Sequence, residues 1–165
     1  MDTAAMDTFI ETWGAMGASW GISNSVARVH ALLIISDRPW CIDDIVERLQ
    51  ISKSNVSTSL KELRGWKVVR RVLLAGDRRE HYTCESDPWQ MLFDIMRERK
   101  RREFDPLLAS VRGTLQEAEG APGGVDLERI RKMEQMLGSF DRLAERALGS
   151  GDQARTFLSF LLGKM

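Results

Sequence analysis

Apolar residues recur at helical spacing along most of this chain and give way to a β-branched run only around residues 68–73. Met6, Phe9, Ile10 and Trp13 stand at i, i+3, i+4 and i+7, one face of an amphipathic helix over residues 3–18. Gly14, Gly17 and Gly21 weaken its end, each by about 1 kcal/mol against alanine in a helix interior. Such a helix must bury its stripe, and a second copy of the chain offers a surface. A second helix is predicted from an N-cap at Ser23 to about Ser36, with Val26, Val29, His30, Leu33 and Ile34 on its buried face. Asp37-Arg38-Pro39 ends it, because the residue before a proline is pushed out of the α region. Trp40 and Ile42 suit a short strand.

The centre of the chain carries the most information. Asp43 and Asp44 occupy the first turn of a helix, where acidic groups complement the positive end of its dipole, and Ile45, Val46 and Leu49 face inward. Gln50-Ile51 turns the chain, and Ser52 caps the next helix, on which Val56, Leu60 and Leu63 point to the core. Its other face carries Ser54, Ser57, Thr58 and Lys61, with Lys53 and Asn55 at its N-terminal end. Gly65 closes that helix. Val68, Val69, Val72 and Leu73 make a strand, Ala75-Gly76-Asp77-Arg78 a hairpin tip, and residues 80–84 the return. Helix, turn, helix and hairpin in this order make a winged helix-turn-helix, which sets one helix in a DNA groove with a β-wing beside it.

Asp87 caps a further helix, with Pro88 at its first position, Gln90 where a capping-box partner stands, and Trp89, Leu92, Phe93 and Met96 as its stripe. Asp105-Pro106 repeats the cap-plus-proline signal, so a kink or fresh start is expected there, and the apolar face then continues to about Glu119. Residues 120–124 are the clearest loop. A long helix follows from about Asp126 to Leu148, and after Gly149-Ser150-Gly151 a last one over about 152–163. That terminus is apolar but too short to span a membrane, so it is most simply buried against a second copy. The fold class is mainly α with a small β-wing. Residues 1–22 form an N-terminal dimerisation helix, 23–86 the winged helix-turn-helix, and 87–165 a C-terminal helical dimerisation region. Dimer contacts fall on Met6, Phe9, Ile10 and Trp13 at one end and on Phe157, Phe160 and Leu161 at the other.

Composition adds that this is an ordinary globular chain of 165 residues, 43% hydrophobic and 29% charged, with no apolar run of the roughly 18–20 residues a membrane span needs. The acidic N-terminus lacks the order of a secretion signal, and two cysteines outside any CxxC pattern fit a reduced, cytoplasmic compartment. Charge changes the picture most. Lys+Arg 24 balance Asp+Glu 24, whereas many DNA-binding domains are basic. The charge is segregated, however. Lys53, Lys61, Arg64, Lys67, Arg70, Arg71, Arg78 and Arg79 face only Glu62 and Asp77 between residues 53 and 79.

These features assign duplex DNA to Lys53, Ser54, Asn55, Ser57, Thr58 and Lys61 on the reading helix and to Arg78 and Arg79 on the wing. Hydroxyls and an amide can bond base edges or phosphates, and the helix N-terminus attracts a phosphate. The competing reading is a winged-helix module that binds proteins without reading DNA, which the neutral balance favours. Arg97, Arg99, Lys100, Arg101 and Arg102 are interleaved with Glu98 and Glu103, and read as a charged helix face rather than a phosphate site. Five tryptophans raise an aromatic cage for a quaternary ammonium such as choline or betaine, but Trp66 and Trp89 stand where a core needs bulk. His30 suits a packed core, His81 lies in the wing strand, and neither has metal-ligand spacing to another donor, so neither metal nor cofactor is expected. Cys41 and Cys84 read as inert core thiols. No nucleophile elbow, P-loop, carboxylate pair or glycine-rich dinucleotide motif is present, and no enzyme is expected.

The stretch GISNSVARVHALLIISDRPWCIDDIVERLQISKSNVSTSLKELRGWKVVRRV, followed by GDRREHY, SDPW and ERKRREFDP, resembles the GbsR branch of MarR-like winged-helix regulators over most of residues 9–119. The resemblance implies a homodimeric DNA-binding regulator of bacteria or archaea, usually a repressor, whose terminal helices build the dimer; an effector that changes the spacing of the two reading helices is expected to release the DNA. It places Ser54, Asn55, Ser57, Thr58 and Lys61 on the recognition helix and Arg78 and Arg79 on the wing. Some members of the branch regulate the uptake or synthesis of choline and betaine.

Overall fold

The first helix, α1 (Thr3–Ser19), packs along α2 (Asn24–Ile35), and its glycines are what allow the approach. Gly14 and Gly17 are buried, and a Cβ on Gly17 would stand 2.5 Å from the Ala27 Cβ. Two of the three positions read as weak points, Gly14 and Gly17, are thus part of the surface over which the helices meet. Ile10, assigned from sequence to the dimer contact, is 2% exposed in the single chain, so that residue belongs to the chain's own core. Met6, Phe9 and Trp13 are half-buried, with Phe9 stacked on Trp13 at 5.5 Å and Trp13 edge-on to His30 at 6.0 Å. The protein is seen here in a computed structural model that describes residues 3–120, 123–124 and 126–149 and falls into two compact units, Met1–Met91 and Leu92–Met165.

In the first unit α2 lies against α1, α4 and the sheet, with Val29, Ala31 and Leu32 fully enclosed. Ser23 takes its N-cap position without a side-chain cap bond. The predicted strand ends one residue early. β1 is Trp40–Cys41, and Ile42 already belongs to α3 (Ile42–Leu49), because the Cys41 sulfur accepts the Asp44 N–H at 3.5 Å and starts the helix there. α4 (Lys53–Gly65) begins at Ser52, whose Oγ accepts the Asn55 N–H at 3.2 Å, and buries Val56, Ser59, Leu60 and Leu63. Gly65 is its last residue, but the chain turns two positions later, at Lys67, whose φ of 65° lets its N–H reach Arg64 O at 3.0 Å. β2 (Val69–Val72) and β3 (His81–Cys84) form the wing, and the antiparallel sheet runs β1-β3-β2, with Trp40 opposite Tyr82 and Val72 opposite His81.

Asp87 accepts the Trp89 N–H at 3.0 Å and starts α5 (Pro88–Arg99). Of the stripe read on this helix, Phe93 is buried, while Trp89, Leu92 and Met96 are 40–45% exposed; Trp89 is therefore not the core residue the sequence suggested. In the second unit the proline expected to kink the chain is met by a π turn, Lys100–Phe104, after which α6 (Asp105–Gly120) continues directly. The Asp105 N–H bonds Lys100 O, and this wider turn precedes a residue that has no N–H to give. α7 (Leu127–Ala147) starts at its Asp126 cap and packs on α6, with Phe140 against Phe104 at 5.2 Å. Met133, Phe140 and Leu143 remain about half exposed. The last predicted helix, with Phe157, Phe160 and Leu161, lies outside the described residues.

Candidate nucleic-acid interface

The exposed face of α4 follows from which residues its core takes. With Val56, Ser59, Leu60 and Leu63 turned inward, Lys53, Ser54, Asn55, Ser57, Thr58 and Lys61 all reach solvent. The structure thus brings the six predicted residues of this helix onto one surface. Lys53 differs from the others. Its ammonium donates to Asp43 Oδ1 at 2.8 Å, which raises the lysine and lowers the carboxyl and ties the start of α4 to the start of α3.

On the wing, the two arginines part company. Arg79 donates to both oxygens of Asp77 at 2.7–3.1 Å, and its Nη1 lies 3.3 Å from Cys41 Sγ and 3.5 Å from Asp44 Oδ1. These bonds from Arg79 hold the Asp77 carboxyl down at about 2. Arg71 pairs with Glu80, which also accepts the Tyr82 hydroxyl at 2.8 Å. Arg78 is exposed and makes no hydrogen bond or ion pair among the described residues.

Arg78 has company. Lys61 and Arg64 on α4, Lys67 in the turn and Arg70 on β2 are also exposed and also lack a hydrogen bond or ion pair among the described residues. The basic run of the second unit is arranged otherwise. Lys100 holds Asp105, Asp141 and Glu145 at 2.7–2.8 Å, Arg101 and Arg102 hold Glu98, and Arg97 donates to Asp94 and to two backbone carbonyls. The reading of that run as a charged helix face agrees with this geometry. Arg64, Lys67 and Arg70 entered the charge count but not the predicted DNA-binding set. Which cations stay unpaired depends on contacts such as Lys53–Asp43, which no local pattern marks.

The remaining candidates fall as follows. Trp40 and Trp66 are buried, and Trp20 is 54% exposed. His30 and His81 are buried, and both cysteines are buried free thiols, with burial pushing Cys84 up to about 11. Among the described residues no group of three or more His, Cys, Asp or Glu stands where it could hold a metal, and no helix is long and apolar enough to cross a membrane.

A polar, solvent-facing α4 beside a β-wing, with exposed cations around both, gives the outline of a winged helix-turn-helix. Residues 20–80 match the profile described as "MarR family". It is 26% identical over 99 residues to the "HTH-type transcriptional repressor GbsR" of Bacillus subtilis (strain 168), covering 60% of this chain and 54% of that protein. A second B. subtilis protein, the "Putative HTH-type transcriptional regulator YvaV", is 24% identical over 91 residues, covering 55% of this chain and 51% of that protein. The chain spans about half the length of the curated relatives it matches. A solved structure described as "Crystal Structure of a transcriptional regulator" shares the fold, with a TM-score of 0.70 over 90% of this chain and 99% of that one at 20% identity. The resemblance to the GbsR branch and the mainly α winged-helix fold class are both borne out.

Proposed function

We propose that this protein is a sequence-specific DNA-binding transcriptional regulator of the cytoplasm, acting as a homodimeric repressor that an effector releases. One observation carries the reading. The exposed cations left without a hydrogen bond or ion pair among the described residues of the first unit cluster on α4, the turn after it and the wing, whereas cations of the basic run 97–103 are paired with acids of the second unit. A polyanion gains most where basic groups have no partner to give up. Ser54, Asn55, Ser57 and Thr58 then read base edges, and Lys61, Arg78 and Arg79 hold the backbone.

Two copies would set their α4 helices in major grooves about one helical turn (~34 Å) apart on a pseudo-palindromic site. The half-exposed apolar residues of α5 and α7 support a second copy as partner, as do the apolar residues predicted at the C-terminus. The name of the GbsR relative supports repression. An effector that favours one spacing of the two readers over another would release DNA.

A gel shift over a salt series, with DNA from upstream of the protein's own gene and random DNA of equal length, tests this. Asn55→Ala and Thr58→Ala should each lower affinity for the specific DNA by ~1–3 kcal/mol and leave random DNA almost unchanged. Equal losses on both would move these residues to backbone contacts. No shift at any salt would favour the protein-interaction module.

A further inference from the structure

Among the described residues, Gln50 and Lys67 are the non-glycine positions with a left-handed backbone, and only one has a reason inside the protein. Gln50 (φ 54°) ends α3. Its N–H donates to Val46 O at 2.9 Å, and its side-chain Nε2 donates to Glu47 O at 2.6 Å, so the side chain helps close the helix. Lys67 (φ 65°) holds the corresponding place after α4. Its N–H donates to Arg64 O at 3.0 Å and the Val68 N–H to Leu63 O at 3.2 Å, the paired closure in which glycine is the usual left-handed residue. Both bonds run through the backbone, so glycine would make them equally well and without the clash a Cβ brings. The Lys67 side chain is exposed and makes no hydrogen bond or ion pair among the described residues.

Strain kept at an exposed position, with a charge that has no partner in the chain, points to a ligand outside it. The surroundings state the ligand's sign. Arg64, in the last turn of α4, and Arg70, in β2, are exposed and make no hydrogen bond or ion pair among the described residues, and Glu80, whose charge Arg64 feels, is bonded to Arg71 and Tyr82. We propose that Arg64, Lys67 and Arg70 form a phosphate-binding strip at the base of the wing. It grips the sugar–phosphate backbone of duplex DNA beyond the face that reads bases. The strip rests on the DNA-binding reading above and deepens it. Its contacts carry no sequence information and set the angle at which α4 enters the groove.

The test is Lys67→Gly in the full chain, measured by thermal melting and by titration of upstream and random DNA across roughly 50–200 mM salt. The variant should melt at a higher temperature, bind both DNAs more weakly, and show a salt slope shallower by about one per subunit. Lys67→Arg should keep the wild-type slope. A lower melting temperature would overturn the proposal, since the loss of binding would then be structural. So would unchanged affinity and slope in Lys67→Gly; if Thr58→Ala still lost specific binding, the DNA reading would survive without the strip. If the wild type bound neither DNA, the reading and the strip would fall together.

Discussion

Arg79 Nη2 donates to Asp77 Oδ2 at 2.7 Å, and its Nε lies 3.1 and 3.0 Å from the two oxygens of the same carboxylate. The guanidinium is therefore fixed in the wing, with its Nη1 turned to the junction of β1 and α3 at Cys41 and Asp44. Arg79 stays 53% exposed, so the clasp orients it without removing it from a duplex.

From this pairing the two residues should fail differently. Arg79→Ala removes a cation and should weaken binding to all DNA, flattening the salt dependence by about one charge per subunit. Asp77→Asn removes an anion from a basic face and lets Arg79 swing. Affinity for random DNA should rise severalfold, while the ratio of specific to random binding falls. Titrating both variants against both DNAs checks this, and a preserved ratio in Asp77→Asn would show that the clasp does not aim the arginine.

The α1–α2 contact distinguishes two glycines one turn apart. A Cβ at Gly17 meets the Ala27 Cβ at 2.5 Å, an atom fixed to the backbone, whereas one at Gly14 meets the Arg28 Cγ at 2.9 Å, part of a side chain that can move. Gly17→Ala should cost ~1–3 kcal/mol, because the helices must separate. Gly14→Ala sets the helix-propensity gain of about 1 kcal/mol against a shifted Arg28–Glu11 ion pair (3.0 Å), and should come out near neutral. Urea unfolding of the two variants decides; equal losses would mean that α1 is held loosely.

Lys100 lies within 2.7–2.8 Å of Asp105, Asp141 and Glu145, and its side chain is only 14% exposed. Its ammonium joins the π turn and α6 to α7. Lys100→Met should destabilise the second unit by ~1 kcal/mol, since three partly exposed carboxylates would lose their counter-ion. Thermal melting of the variant beside wild type checks this, and an unchanged melting temperature would contradict it.

What the sequence shows of this protein depends on how far away the deciding atoms lie. Ser52 caps its helix through the N–H of Asn55, three residues on, and Leu60 declares the inward face through Val56 and Leu63; such signals are local and were legible. Ile10 was assigned to a partner because nothing nearby in sequence announces α2 as its cover. Arg79 and Arg78 look alike in a string and differ because Asp77 and Asp44 select one of them. Lys67 was invisible for another reason. Gly65 offered an obvious stop, but the chain continues to Trp66 before turning, and only the backbone angle identifies the lysine.

His30 yields a prediction with a definite sign. It is 3% exposed, its Nε2 is buried without a hydrogen-bond partner, and burial lowers it from 6.5 to about 4. Below pH 6.5 the unfolded chain takes up a proton here that the native state refuses until about pH 4. The stabilisation is therefore complete above pH 6.5, is lost as the pH falls through that window, and amounts to about 3 kcal/mol in all. Replacing the imidazole by an apolar group of similar bulk, His30→Met, removes the titration while keeping the face that meets Trp13. Urea unfolding at pH 7 and pH 4.5 should show wild type losing about 2 kcal/mol more than His30→Met between the two. Equal losses would place the destabilising proton on another group and leave His30 hydrated or bonded in the native state.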